Sequence, residues 1–81
     1  RQTGYIAVHQ HFSQGYRDYF ARVEPIFRAA GGRPHWGKIH SLSSTELAPL
    51  YPHWEQMVQL RERFDPNRVF TNEHLTRVLG P

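Results

Sequence analysis

No cysteine occurs anywhere in the 81 residues. That removes disulfides and thiolate chemistry, and with them any inference about redox compartment. Long hydrophobic runs are missing too: no apolar stretch approaches the roughly 20 residues that cross a bilayer. No secretory leader is visible. There is no phosphate-binding glycine loop, no dinucleotide fingerprint and no nucleophile-plus-base motif. Nor is there a strong charge bias, since ten Lys and Arg against seven Asp and Glu give a net +3. Arg17, Arg22, Arg28, Arg33, Lys38, Arg61, Arg63, Arg68 and Arg77 are scattered with acids between them. That is the pattern of a solvated surface and not of a nucleic-acid stripe. With 38% apolar residues the chain is one small, polar globular unit with a limited core. It opens on Arg1 instead of Met, directly before a strand-like segment, and is expected to be a piece of a longer protein.

What is present concentrates in one stretch, Gly31-Gly32-Arg33-Pro34-His35-Trp36-Gly37-Lys38-Ile39-His40. The leading glycines can take positive φ and end a helix. Proline pushes Arg33 towards an extended path, and Gly37 lets the backbone approach a neighbour closely. Polar, cationic and aromatic groups on such a loop make a ligand-facing surface. The plainer alternative is a helix-to-helix turn anchored by Trp36.

Around this loop, Gly4 to Phe12 reads as a strand. Ile6, Val8 and Phe12 lie on one face and Tyr5, Ala7, His9 and His11 on the other. A lone strand leaves backbone groups unpaired, so its partners are expected outside this sequence. Tyr16, Tyr19, Phe20, Val23, Ile26, Phe27 and Ala30 mark one side of an amphipathic helix, with a kink or break expected at Pro25. Ser43, Ser44 and Thr45 offer caps for a short helix through Glu46-Leu47-Ala48, limited by Pro49 and Pro52. A further helix is predicted from near Pro52 to Phe64, with Trp54, Met57, Val58, Leu60 or Arg61, and Phe64 on its buried side. Asp65-Pro66-Asn67 is a turn signal; Val69 and Phe70 are expected to cover the core. Asn72 caps a last short helix through Leu75, Val78 and Leu79, stopped by Gly80-Pro81. The class expected is α+β: one N-terminal strand, about four helices and a central loop.

Two chemistries are open to the histidines. Three of His9, His11, His35 and His40 could recruit a metal as in a zinc site, but no carboxylate stands near them in sequence and the spacing matches no signature. Alternatively they form a polar wall for a small hydroxylated ligand, with Lys38 placing positive charge where negative charge develops. Trp36 fits a buried anchor with its N–H bonded. A noncatalytic partner-binding domain is the rival from outside enzymology.

Gly31-Gly32-Arg33-Pro34-His35-Trp36-Gly37-Lys38 resembles the G-x-R-P-H-W-G-K segment of the sugar-lactone and alditol oxidases. Phe64-Asp65-Pro66-Asn67-Arg68-Val69-Phe70-Thr71-Asn72, with Leu75 and Leu79-Gly80, is similar to the terminal D-P-x-x-x-F-x-N segment of that family. Val8-His9-Gln10-His11 resembles a strand that carries its active-site residues. The resemblance implies the C-terminal part, residues 1–81, of an antiparallel-sheet substrate (cap) domain in an FAD-dependent oxidase or dehydrogenase. It also implies that the FAD-binding domain lies outside this chain and that the 81 residues alone are inactive. On the same analogy Lys38, His9 and His11 are catalytic, Lys38 beside flavin and substrate and the histidines binding the polyol or lactone or taking its hydroxyl proton. Some relatives carry a hydroxyl residue at the position of His11. His35, Trp36 and Gly37 form the loop that faces substrate and flavin, while Arg33 (through an ion pair), Asp65 and Asn72 give structural support. No metal and no nucleic acid is implied. The partners are the rest of the polypeptide and a small sugar lactone or polyol, in the cytoplasm or at a membrane surface.

Overall fold

The computed structural model describes residues 3–11 and 13–81. Among the described residues four α-helices follow one another: α1 (Arg17–Ala29), α2 (Ser44–Leu47), α3 (Trp54–Phe64) and α4 (Glu73–Leu79), with a 3₁₀ turn at Ala48–Leu50 between α2 and α3.

The strand predicted over Gly4–Phe12 is not formed, and the α+β class with it: there is no strand among the described residues. Residues 4–11 run as coil, and Phe12 lies outside the described residues. Period-two alternation says which side chains would share a face. It cannot supply the neighbouring strand whose N–H and C=O groups make a ladder. Without that neighbour Tyr5 is 94% exposed, and unpaired strand edges no longer bear on whether the chain is a fragment.

The helix limits follow local chemistry. α1 has Asp18 in its first turn and Arg28 in its last, each matching the helix dipole. Pro25 does not interrupt it. It ends in a Schellman closure: Gly31 takes φ +77, its N–H donates to the Arg28 carbonyl at 3.0 Å, and the Gly32 N–H donates to the Phe27 carbonyl at 2.8 Å. Ser43 starts α2, with its N–H donating to the Glu46 carboxylate at 3.1 Å. Asn72 starts α4 by accepting the Leu75 N–H at 2.8 Å. Gly80, at φ +90, ends it. Arg61 of α3 then donates to the freed Gly80 carbonyl at 2.8 Å, which ties the two helices together.

Leu42, Leu47 and Val78 form the buried centre, each at most 1% exposed, with Trp36, Leu50, Tyr51, Trp54 and Leu79 packed on it. Burying each of these aliphatic side chains contributes about 1.5–3 kcal/mol. The centre therefore joins the central loop, α2 and α4, while α3 leans on the 3₁₀ turn. It does not include the long apolar face of α1, which has no buried residue. Two further expectations fail here. Val69 and Phe70 do not cover the core but stand 72% and 80% exposed, and Leu60 and Phe64 of α3 are exposed as well.

Candidate functional site

The loop between α1 and α2 hangs from four points. On the α1 side, the Glu24 carboxylate accepts the Ser41 N–H at 3.0 Å and also the Ser41 hydroxyl. Arg28 pairs with Glu46 at 2.8 Å, and that pair closes the base of the loop. The Ser43 N–H first, then its hydroxyl and Arg28, hold Glu46 below the usual carboxylate range.

The third point is Trp36. Its indole stands edge-on to the Tyr51 and Trp54 rings, with centroids 5.6 and 5.9 Å away. Its Nε1–H donates to the Tyr51 hydroxyl at 3.0 Å. This is the anchor with a bonded N–H that its position in the loop predicts. Arg33 lies over the Tyr51 ring, 4.8 Å from its centroid, and among the described residues the expected ion pair is not formed.

The fourth point is α4. His74 Nε2 donates to the Trp36 carbonyl at 2.7 Å, and its ring packs edge-on against His40 at 5.9 Å. His40 is buried; its Nδ1 accepts the Leu42 N–H at 3.2 Å, and its Nε2 has no hydrogen-bond partner among the described residues. Burial lowers its pKa from the ordinary 6.5; Arg77 and His74 lower it further, while Glu24 and, less, the Trp36 backbone oppose them.

What these anchors present is a turn over His35–Lys38, closed by the Lys38 N–H donating to the His35 carbonyl at 3.0 Å. Within it the Gly37 N–H donates to His35 Nδ1 at 3.0 Å. That bond leaves the neutral His35 ring with its proton on Nε2. Lys38 is exposed, and no carboxylate among the described residues pairs with it. An ammonium and an imidazole N–H on one rigid turn can stabilise an oxyanion or any group that gains negative charge.

His9 and His11 are exposed on the N-terminal coil, and the His11 Nδ1 accepts the Ser13 N–H at 3.2 Å. That coil does reach the central loop: Thr3, Gly4 and Tyr5 line a groove of about 440 Å³ with Gly31–His35 and Tyr51. His9, His11 and Lys38 lie outside its walls. Among the described residues no three His, Cys, Asp or Glu side chains come together to hold a metal ion, so the zinc alternative has no cluster behind it. No described helix is long and apolar enough to cross a membrane.

Asp65 accepts the Val69 and Phe70 N–H groups at 2.7 and 3.0 Å. Arg68, at φ +54, is held by the Asp65 carbonyl and the Glu62 carboxylate, both at 2.7 Å. The residue missed from sequence is His74. Its helix was legible, but nothing local says that its ring meets a carbonyl 38 positions away.

Residues 1–78 match the family model of D-arabinono-1,4-lactone oxidase. An L-gulono-1,4-lactone dehydrogenase of Mycobacterium tuberculosis is 47% identical over all 81 residues, which cover 19% of that protein. A Bos taurus L-gulonolactone oxidase is 36% identical over 75% of the chain and 14% of the relative. A Streptomyces alditol oxidase is 36% identical over 72% of the chain and 14% of the relative. The chain thus spans less than a fifth of the length of these relatives. No solved structure matches it.

Proposed function

The chain belongs to the D-arabinono-1,4-lactone oxidase family, and we propose from that premise that it is part of the substrate domain of an FAD-dependent oxidoreductase. The donor would be the CH–OH group of a sugar lactone or alditol, the compound classes that the relatives' names carry. The reading is carried by one observation: Lys38 stands exposed, with no carboxylate partner among the described residues, as the closing residue of a turn braced from two sides. The family is generally flavin-dependent. This chain has no glycine cradle for the dinucleotide phosphates, so residues outside it would hold most of FAD. The donor set of the His35–Lys38 turn does fit the electron-rich end of a flavin ring or an ionising hydroxyl. When bound, the flavin supplies the hydride acceptor.

The chain's own residues then divide the work. Lys38 places positive charge where the substrate oxygen or the reduced ring becomes negative. His35, fixed as the Nε2–H form, offers a donor on the same turn. His9 and His11 bind the hydroxylated substrate or accept its hydroxyl proton, once the remainder of the polypeptide places the N-terminal coil beside the turn. That remainder is also the partner proposed for the exposed side chains of Phe64, Val69 and Phe70.

The test is a visible spectrum of the full-length protein with L-gulono-1,4-lactone, D-arabinono-1,4-lactone or xylitol. A flavin spectrum that bleaches with one of them is expected. Lys38→Ala should slow that bleaching by roughly 10²-fold or more while leaving FAD content nearly unchanged. A protein that takes up no flavin on incubation with FAD refutes the reading.

A further inference from the structure

We infer that His74 is a positioning residue for Lys38, acting on the peptide group between Trp36 and Gly37. The inference rests on the role proposed for Lys38 and adds the element that holds it. The Trp36–Gly37 peptide is the central one of the His35–Lys38 turn. In such turns this peptide can rotate by about half a turn, exchanging a form with negative φ at the third residue for one with positive φ. The third residue here is glycine, which tolerates both. In the structure Gly37 is not in the positive-φ region. One of two accessible forms has therefore been selected.

Two imidazoles make that selection. His74 Nε2 donates to the carbonyl of this peptide at 2.7 Å, and His35 Nδ1 accepts from its N–H at 3.0 Å. Rotation of the peptide breaks both bonds. The His74 tautomer is set from both sides. The Trp36 carbonyl can only accept, so the proton sits on Nε2. Arg77 Nη2, a donor only, lies 3.4 Å from Nδ1, so that nitrogen must be the acceptor. The neighbouring His40 ring packs edge-on to His74, with α4 itself fixed by the buried Val78. The clamp thus transmits the position of α4 to the residue that begins one bond beyond Gly37.

The experiment uses the full-length flavoprotein with His74→Phe, His74→Gln, Lys38→Ala and the double variant His74→Phe/Lys38→Ala. Glutamine carries an N–H at nearly the reach of Nε2, and phenylalanine keeps the ring without a donor. Amide hydrogen exchange of the segment spanning Trp36–Ile39 should rise about tenfold or more in His74→Phe, with α4 and α1 unchanged. Flavin reduction at saturating lactone should fall by roughly 10- to 100-fold, the scale of a small misplacement of a catalytic group. His74→Gln should restore both readouts to within several-fold. In the Lys38→Ala background His74→Phe should have little further effect on reduction, since the two act in series. Unchanged exchange at Trp36–Ile39 overturns the clamp. So does exchange that rises equally in α4, which would make His74 a general prop. A full effect of His74→Phe in the absence of Lys38 overturns the route through Lys38. If Lys38→Ala alone leaves reduction untouched, the underlying reading fails, and the exchange data separate that failure from failure of the clamp.

Discussion

Of the two glycines that close α1, the one with ordinary φ should be the harder to replace. Gly31 sits at φ +77, but a Cβ there would meet nothing within 4 Å. Gly31→Ala costs only the left-handed penalty, about 1 kcal/mol and at most about 2. Gly32 lies outside the left-handed region, yet its Cβ would stand 2.8 Å from the Phe27 carbonyl oxygen and 3.3 Å from the carbonyl carbon. Both atoms are backbone in the last turn of α1 and cannot rotate aside. The same carbonyl accepts the Gly32 N–H, so relieving the clash stretches the bond that closes the helix. Overpacking of about 1–3 kcal/mol and a weakened hydrogen bond of about 1 kcal/mol give about 2–4 kcal/mol. At tenfold per 1.4 kcal/mol, local opening measured by native-state amide exchange over residues 31–40 should accelerate roughly 30- to 700-fold in Gly32→Ala. Gly31→Ala should give about fivefold by the same conversion, and Gly31→Asn less, because Asn enters the left-handed region more readily. An exchange rate in Gly32→Ala equal to or below that of Gly31→Ala would refute the steric argument.

Removing either partner of the Trp36–Tyr51 hydrogen bond, as Trp36→Phe or Tyr51→Phe, should lower stability by about 1 kcal/mol for the bond. The double variant should show a coupling of similar size in unfolding experiments; strict additivity would mean that the 3.0 Å contact holds nothing. His40 makes stability depend on pH. Its folded pKa lies below 6.5, so the unfolded chain binds the proton more readily than the native one. Stability is then complete above about pH 6.5 and declines as the pH falls through the folded value. Glu24 on α1 and His74 and Arg77 on α4 are the charged and titratable groups that act on it. Unfolding midpoints between pH 8 and 5 should fall less in His40→Gln than in the parent, and parallel curves would remove His40 as the cause.

Single residues with strong local chemistry announced most of the helix limits. Gly31-Gly32, Asn72 and Gly80 end or begin helices through bonds that span only a few positions, and Ser43 with Glu46 does the same for α2. The Asp65 turn was legible for the same reason. The G-x-R-P-H-W-G-K run carried the family from sequence alone, and with it the expectation that Lys38, His35, Trp36 and Gly37 belong together.

Long-range placement was decided elsewhere. The alternation from Gly4 onwards is a property of side chains, whereas a strand is a property of two backbones, and the second is not supplied within the described residues. Apolar character marked Val69, Phe70 and Phe64 as core candidates, but hydrophobicity says only that a side chain prefers cover, and here the buried volume is filled by Leu42, Leu47 and Val78. The sequence by itself thus determined the helix ends, the turns and the family, because each rests on contacts between near neighbours or on a motif read in order. Only the tertiary structure decided that His40 is buried, that Arg33 lies on Tyr51, and that His74 reaches the Trp36 carbonyl. Those contacts join residues far apart in sequence, and they exist only once the helices have packed.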